Sequence, residues 1–270
     1  MIQAYIKKHL PIKFVNYLRR IKNVARFETD NNFQNNAEAF LEKEQELKIV
    51  TRLIKRDSIC LDIGGNIGNF AYHLCKSCPD GLVISFEPRS DLFNRLKNNL
   101  KKFSNFKAHH LALSDKDCNL EISLDPSHGN STVENVPSVA GLRREKIQGL
   151  SLDNFLENEL YSNIDFIKID VEGHEAKVLK GASKTVQKFR PIILCESENK
   201  HLLPLGTSVQ EVLKHFMLDF KYNCFYYMNG NLHPYNERIV PASKMSKEYQ
   251  YIYNWLLIPE EKVQQLPRFN

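Results

Sequence analysis

At 270 residues, 42% hydrophobic and 26% charged, the chain has the size and composition of one large α/β domain, or of one domain with a short appendage. No run approaches the roughly 18 apolar residues that a membrane-spanning helix needs, and Lys or Arg interrupts the N-terminal apolar residues too often for a secretory leader, so a cytoplasmic chain is expected. The net charge of +5 is unevenly placed: residues 1–27 hold seven basic side chains (Lys7, Lys8, Lys13, Arg19, Arg20, Lys22, Arg26) and no acid, which leaves the rest at −2.

In that first segment Ile2, Tyr5, Ile6, Phe14, Val15, Leu18 and Ile21 recur at helical spacing around Pro11, which predicts two short amphipathic helices with basic faces. Such a segment can lie peripherally on an anionic membrane at the cytoplasmic face, or pack on the domain or on a partner subunit of a homo-oligomer with its charges solvated. Nucleic acid is disfavoured, because the body of the chain is mildly acidic and shows no basic stripe interleaved with aromatics. Residues 31–36, NNFQNN, read as a polar linker, and 37–55 as a helix with Phe40, Leu41, Leu47, Val50 and Leu53 near one side. The chain thus divides into a basic helical appendage, 1–40, and a domain, 41–270.

From Ser58 onward strands and helices alternate: strand 59–63, a helix from Asn69, strand 82–86, helix 91–102, strand 107–113, an irregular insert, strand 164–169, helix 174–189 and strand 192–196. Short apolar runs between amphipathic helices predict βαβ units and a doubly wound, mostly parallel sheet. Near the C-terminus 220–228 and 249–258 are aromatic-rich strands with no crossover helix between them, which predicts an antiparallel pair. The six cysteines read as reduced thiols. Cys75 and Cys78 have CxxC spacing, but zinc needs a second pair and none is present, so no metal is expected.

Ligands of open α/β sheets bind beyond the carboxyl ends of the strands. The first such end reads CLDIGGNIGNF, where Gly64 and Gly68 permit a tight turn and the following helix offers free N–H groups. It departs from the dinucleotide fingerprint, because Asn66 takes the middle glycine position, and Asp62 can accept from an ammonium group. The second strand ends VISFEPRS; Glu87 stands there, where a carboxylate can accept both hydroxyls of a ribose. These two features specify a nucleoside-bearing ligand without naming it.

The segments DIGGNIGNF, FEP, LALSD, LSLDNFL and DFIKIDVEGHEAKVLKGA, followed by RPIILCE, resemble the FkbM family of S-adenosylmethionine-dependent methyltransferases over about residues 45–200. The resemblance implies a Rossmann-like class I methyltransferase sheet, S-adenosyl-L-methionine as cofactor, and O-methylation of a hydroxyl on a carbohydrate or glycosylated metabolite. It implies that Asp62, Gly64, Asn66 and Gly68 surround the methionine part, that Glu87 holds the ribose, and that Ala112, Ser114 and Asp115 border the adenine. Asp170 and Glu172 then stand beside the sulfonium.

Alignment supplies much of the catalysis in an in-line methyl transfer, but a sugar hydroxyl must still lose its proton to a group within reach. His174 fits by location and type. Asp170, Glu172, Glu175 and Glu196 are rivals as base or as holders of the sugar. His174 can equally cap or pack the helix after the fourth strand, and Glu175 can serve its dipole. The insert 125–145 and the stretch after the fifth strand offer His128, Arg143, Arg144, Glu196, Glu198 and His201 to an acceptor, or to solvent. Two other classes remain: a nicotinamide-dependent oxidoreductase on the same architecture, and a non-catalytic, membrane-associated interaction protein.

Overall fold

The computed structural model describes residues 30–124, 143–236 and 252–266. The amphipathic helices expected in 1–27, His128 with most of the insert, and the beginning of the last expected strand lie outside the described residues.

Two helices come first, α1 (Asp30–Lys43) and α2 (Gln45–Leu53). Alternation follows with β1 (Ile59–Ile63), α3 (Asn69–Ser77), β2 (Leu82–Phe86), α4 (Ser90–Leu100) and β3 (Phe106–His109). Next come β4 (Ala112–Ser114), β5 (Cys118–Leu124), β6 (Arg143–Ser151) and the short α5 (Leu152–Leu156). The second half holds β7 (Phe166–Ile169), α6 (Glu175–Lys180), α7 (Ser183–Phe189) and β8 (Ile192–Glu196), then α8 (Asn199–Leu202) and α9 (Val209–Asp219). It closes with β9 (Tyr222–Met228), β10 (Asn231–Pro234) and β11 (Asn254–Pro259).

Eight strands form one sheet in the order β10-β9-β11-β8-β7-β1-β2-β3. The run from β8 to β3 is parallel, and β11 enters antiparallel between β8 and β9, which bears out the class I methyltransferase sheet and its antiparallel C-terminal strands. The chain winds outward from β1 to β3 and then returns to β7, so strand order reverses between β1 and β7 and opens a crevice at their carboxyl ends. Alternate strand residues feed opposite cores. Leu61, Ile63, Ile84, Phe86, Ile167 and Ile169 face α6, α7 and α9. Cys60, Val83, Phe166 and Leu194 face α1 to α4. On that second face three polar side chains stand in one row across the strands, because Asp62 is in register with Ser85 on one side and Lys168 on the other.

Several expected boundaries move. Residues 31–36 are helix, not linker: Phe33 is buried with its ring edge-on to Tyr72 at 5.9 Å, and Tyr72 Oη donates to Glu38 at 2.9 Å, so tertiary packing on α3 overrides the polar composition. The division at 40/41 falls inside α1, and the helix expected over 37–55 breaks at Glu44, whose backbone is extended. The helix over 174–189 breaks at Gly181, where a Cβ would stand 2.0 Å from the Ser114 carbonyl oxygen. The strand expected over 107–113 divides into β3 of the large sheet and β4 of a separate three-stranded sheet, β4-β6-β5, built within the supposedly irregular insert. The C-terminal pair gains β10 as a hairpin partner of β9. Among the described residues no helix is long and apolar enough to cross a membrane.

Candidate active site

The site grows from the turn after β1. Gly64 and Gly65 both donate their N–H to the Phe86 carbonyl, at 2.9 and 3.0 Å, and Asp170 N–H donates to Ile63 O at 3.0 Å. Three strand tips are thereby tied together. Gly64 has φ +83°, and a Cβ there would lie 1.8 Å from Asp170 O, so only glycine lets β1 and β7 approach so closely. Asn66, itself at φ 50°, donates its N–H to Glu87 Oε2 at 2.8 Å, while Arg89 N–H donates to Oε1 at 2.9 Å. The glycine bend and the acid ending β2 therefore converge on one space, as the sequence led us to expect. Burial pushes the Glu87 carboxyl up to about 7 against the lowering effect of those two N–H donors.

The space is a cavity of about 240 Å³. Gly64, Asn66 and Glu87 form its polar wall; Leu92, Leu111, Ala112 and Leu113 form an apolar one; Asp170, Glu172 and His174 close the far side. The DVEGHE turn is strained, with Glu172 at φ 53° and Gly173 at φ 103°, and Glu175 holds it from within. Its Oε1 accepts from Gly173 N–H at 2.9 Å and from Val171 N–H at 3.3 Å. Among the described residues Oε2 is buried without a hydrogen-bond partner, and burial pushes the carboxyl up to about 7. Glu172 is raised to about 7 as well, by burial and then by Asp170 and Glu175, and its Oε2 lies 3.6 Å from His201 Nδ1.

Five expected site residues stand elsewhere. Asp62 is wholly buried, accepts from Ser85 Oγ at 2.8 Å and lies 3.7 Å from Lys168 Nζ, so the ammonium beside it is the chain's own. Gly68 does not line the cavity; at φ +96° it serves packing, since a Cβ would lie 2.9 Å from Leu96 on α4. Ser114 and Asp115 sit behind the apolar wall. Ser114 Oγ pairs with His174 Nε2 at 2.9 Å, and Asp115 lies 3.5 Å from Lys180. Glu175 is turned inward rather than toward an acceptor, being 2% exposed.

Glu196 belongs to a second cavity of about 340 Å³, which among the described residues shares only Asp170 with the first. Its walls come from the corner between α1 and α2 (Phe40, Glu44, Glu46), from Phe70, Lys168 and Glu196, and from Tyr253 and Asn254 leading into β11. Lys168 Nζ donates to Asp170 Oδ2 at 3.0 Å and to Gly64 O at 3.2 Å. Burial opposes its charge, but Asp170 and Asp62 together raise its pKa. Glu196 is pushed up to about 8, chiefly by burial and then by Asp170. Lys168 had a visible signal, a basic residue inside the apolar strand FIKID; Glu44, Tyr253 and Asn254 had none, because topology alone brings them here. Of the insert residues, Arg144 is exposed and lies 3.3 Å from Glu121, away from both cavities. Cys60, Cys75 and Cys78 are buried free thiols, and among the described residues no group of three or more His, Cys, Asp or Glu is arranged to hold a metal ion.

The profile of the Methyltransferase FkbM domain matches residues 62–224. The hexuronic acid methyltransferase AglP of Haloferax volcanii is 28% identical over 158 residues, which cover 57% of this chain and 62% of the relative. The 2-O-methyltransferase NoeI of Sinorhizobium fredii is 26% identical over 159 residues, 53% of this chain and 65% of that one. The matched stretch thus spans less than two thirds of either relative. A crystal structure of methyltransferase FkbM from Methylobacillus flagellatus KT aligns with a TM-score of 0.48 at 15% identity, over 76% of this chain and 44% of that chain.

Proposed function

Since the chain belongs to the FkbM methyltransferase family, we propose that it uses S-adenosyl-L-methionine to methylate a hydroxyl of a carbohydrate or glycosylated metabolite, such as a surface glycan or glycolipid precursor. One observation carries this reading: Glu87, held by the Asn66 and Arg89 N–H groups, stands on the same cavity wall as the glycine turn. The residues suit an adenosyl ligand. An ionised carboxylate has lone pairs left for a ribose diol after two N–H bonds, and Leu92, Leu111 and Leu113 offer an apolar wall to a flat ring. The family match favours this over the nicotinamide-dependent alternative. The names of the two relatives favour a sugar hydroxyl as the acceptor.

When bound, the cofactor supplies a methyl carbon activated by positive sulfur, so that a C–O bond forms as the C–S bond breaks with its electron pair going to sulfur. Gly64 and Asn66 would hold the methionine part, Glu87 the ribose, and Ala112 with its leucine neighbours the adenine. Asp170, common to both cavities, would stand where cofactor and acceptor meet and orient the hydroxyl. Glu196 shares its cavity and, with a pKa of about 8, suits removal of the hydroxyl proton near neutral pH. His174, whose Nε2 is engaged by Ser114 beside the adenine wall, is less well disposed to that task, and Glu172 is assigned to the mouth.

Calorimetric titration with S-adenosylhomocysteine tests the first half. Binding by the wild type and its loss in a folded Glu87→Ala variant are expected; absence of wild-type binding would refute the cofactor assignment. Contact of residues 1–27 with membrane belongs to the same proposal, and is tested by co-sedimentation of the chain with anionic against neutral vesicles.

A further inference from the structure

The second cavity has a composition that discriminates among sugars. Resting on the reading that the chain methylates a carbohydrate hydroxyl, we infer that this cavity seats the acceptor and that it selects a neutral, hydroxyl-rich sugar over a uronic acid.

Location is the first argument. Asp170 is the single described residue common to both cavities, so the second is a separate space that touches the first where the reacting ends of two ligands must meet. At about 340 Å³ it falls at the small end of the range for small-molecule pockets, roughly 300–1,000 Å³. Phe40, Phe70 and Tyr253 give it apolar faces of the kind that the C–H face of a pyranose ring can cover.

Charge is the second. Among the described residues four acidic side chains, Glu44, Glu46, Asp170 and Glu196, stand on the walls against one ammonium, Lys168. That ammonium is already matched, by Asp170 at 3.0 Å, by the Gly64 carbonyl at 3.2 Å and by Asp62 at 3.7 Å. Among the described residues of this wall, a carboxylate on the acceptor would meet no unmatched cation and a surface already crowded with acids, which is how a site rejects a competitor.

Hydrogen bonding is the third. Among the described residues nothing donates to the side chains of Glu44 or Glu196, whereas Glu46 has Asn254. Burial raises all three carboxyls. Sugar hydroxyls supply those donors; a uronate supplies fewer and adds two acceptors.

The test titrates the full chain, saturated with S-adenosylhomocysteine, with a methyl hexopyranoside and with the matching methyl hexuronide, and in parallel exposes a glycan array to the chain and isotope-labelled S-adenosylmethionine. We expect the neutral sugar to bind at least about tenfold more tightly, label to appear on neutral glycans ahead of uronate-terminated ones, and Glu44→Gln/Glu46→Gln to narrow the gap to about threefold. Tyr253→Ala should weaken sugar binding while leaving S-adenosylhomocysteine affinity within about twofold. Equal or tighter binding of the hexuronide, label appearing equally on uronates, or a gap unmoved by the double variant would overturn the inference and leave sugar methylation standing. Loss of S-adenosylhomocysteine affinity in Tyr253→Ala equal to the loss for sugar would return the cavity to the cofactor and likewise overturn it. Array label on no sugar at all, with S-adenosylhomocysteine still bound, would instead refute the carbohydrate reading on which it rests.

Discussion

The two cavities that meet at Asp170 are built on opposite principles. In the first, polar side chains are fixed by backbone: Glu87 by Asn66 and Arg89, and Glu175, beneath the turn, by Gly173 and Val171. In the second, Glu44 and Glu196 have no hydrogen-bond donor among the described residues, and the groups come from segments as distant as α1 and β11. A wall held by backbone N–H groups is organised before its ligand arrives, which suits an invariant cofactor. A wall in which Glu44 and Glu196 find no donor among the described residues leaves lone pairs for a ligand's hydroxyls, which suits the partner that varies between related enzymes.

The sharpest way to break this contrast is Glu87→Ala. We expect S-adenosylhomocysteine affinity to fall at least about 100-fold, near 3 kcal/mol at 1.4 kcal/mol per tenfold, measured by calorimetry. The fold should also lose on the order of 1–3 kcal/mol, read from a denaturant melt, because two buried N–H groups lose their acceptor. Retained affinity would mean that the first wall is not the cofactor's.

Next in size is a pair of variants across the boundary. Glu196→Gln should lower kcat about 100-fold, within the usual range for removal of a general base, and leave S-adenosylhomocysteine affinity nearly unchanged. His174→Gln should cost turnover less than tenfold and act partly through cofactor affinity, because the residue lines the first cavity and its ring pairs with Ser114, next to Leu113. The reverse ranking would restore His174 as the base.

Acidity gives a second test of the backbone-held wall. Glu87 and Glu175 have carboxyls near 7 in the fold against 4.5 ordinarily, so their neutral forms favour the folded chain. The stabilisation these groups give is full below about 4.5 and is lost as pH rises through about 7. The melting temperature of the ligand-free chain should therefore decline between pH 5 and 8 on their account. Affinity for S-adenosylhomocysteine should rise over the same interval, by about tenfold from pH 6 to 8, because ionised Glu87 is the form that accepts a diol. A flat affinity profile would show that Glu87 is ionised throughout.

What could be read from the residues follows the same divide. β1, β2, β7 and β8 are short apolar runs ending in chemistry-bearing residues, so Gly64, Asn66, Glu87 and Asp170 were legible: each stands within a few residues of a recognisable strand end. Asp62, Ser114 and Asp115 were close in sequence but wrongly aimed, since a strand residue's face depends on register with neighbours that the sequence does not display. The second cavity was almost wholly hidden. Glu44 stands at a break inside what reads as one continuous helix over 37–55, and Tyr253 arrives only because β11 inserts between β8 and β9.

Gly68→Ala carries the smallest expected effect and tests how far the glycine motif belongs to the ligand. Gly68 stands in the same run as Gly64, yet what a Cβ would meet differs: at Gly64 it would meet the Asp170 carbonyl, at Gly68 the side chains of Leu96 and Leu100, at 2.9 and 3.0 Å. Leucine side chains can shift where backbone cannot, although φ +96° still penalises alanine. Gly68→Ala should therefore cost about 1–2 kcal/mol of stability and change S-adenosylhomocysteine affinity less than threefold. A large loss of affinity without loss of stability would place Gly68 against the cofactor and shift the boundary of the backbone-held wall to the start of α3.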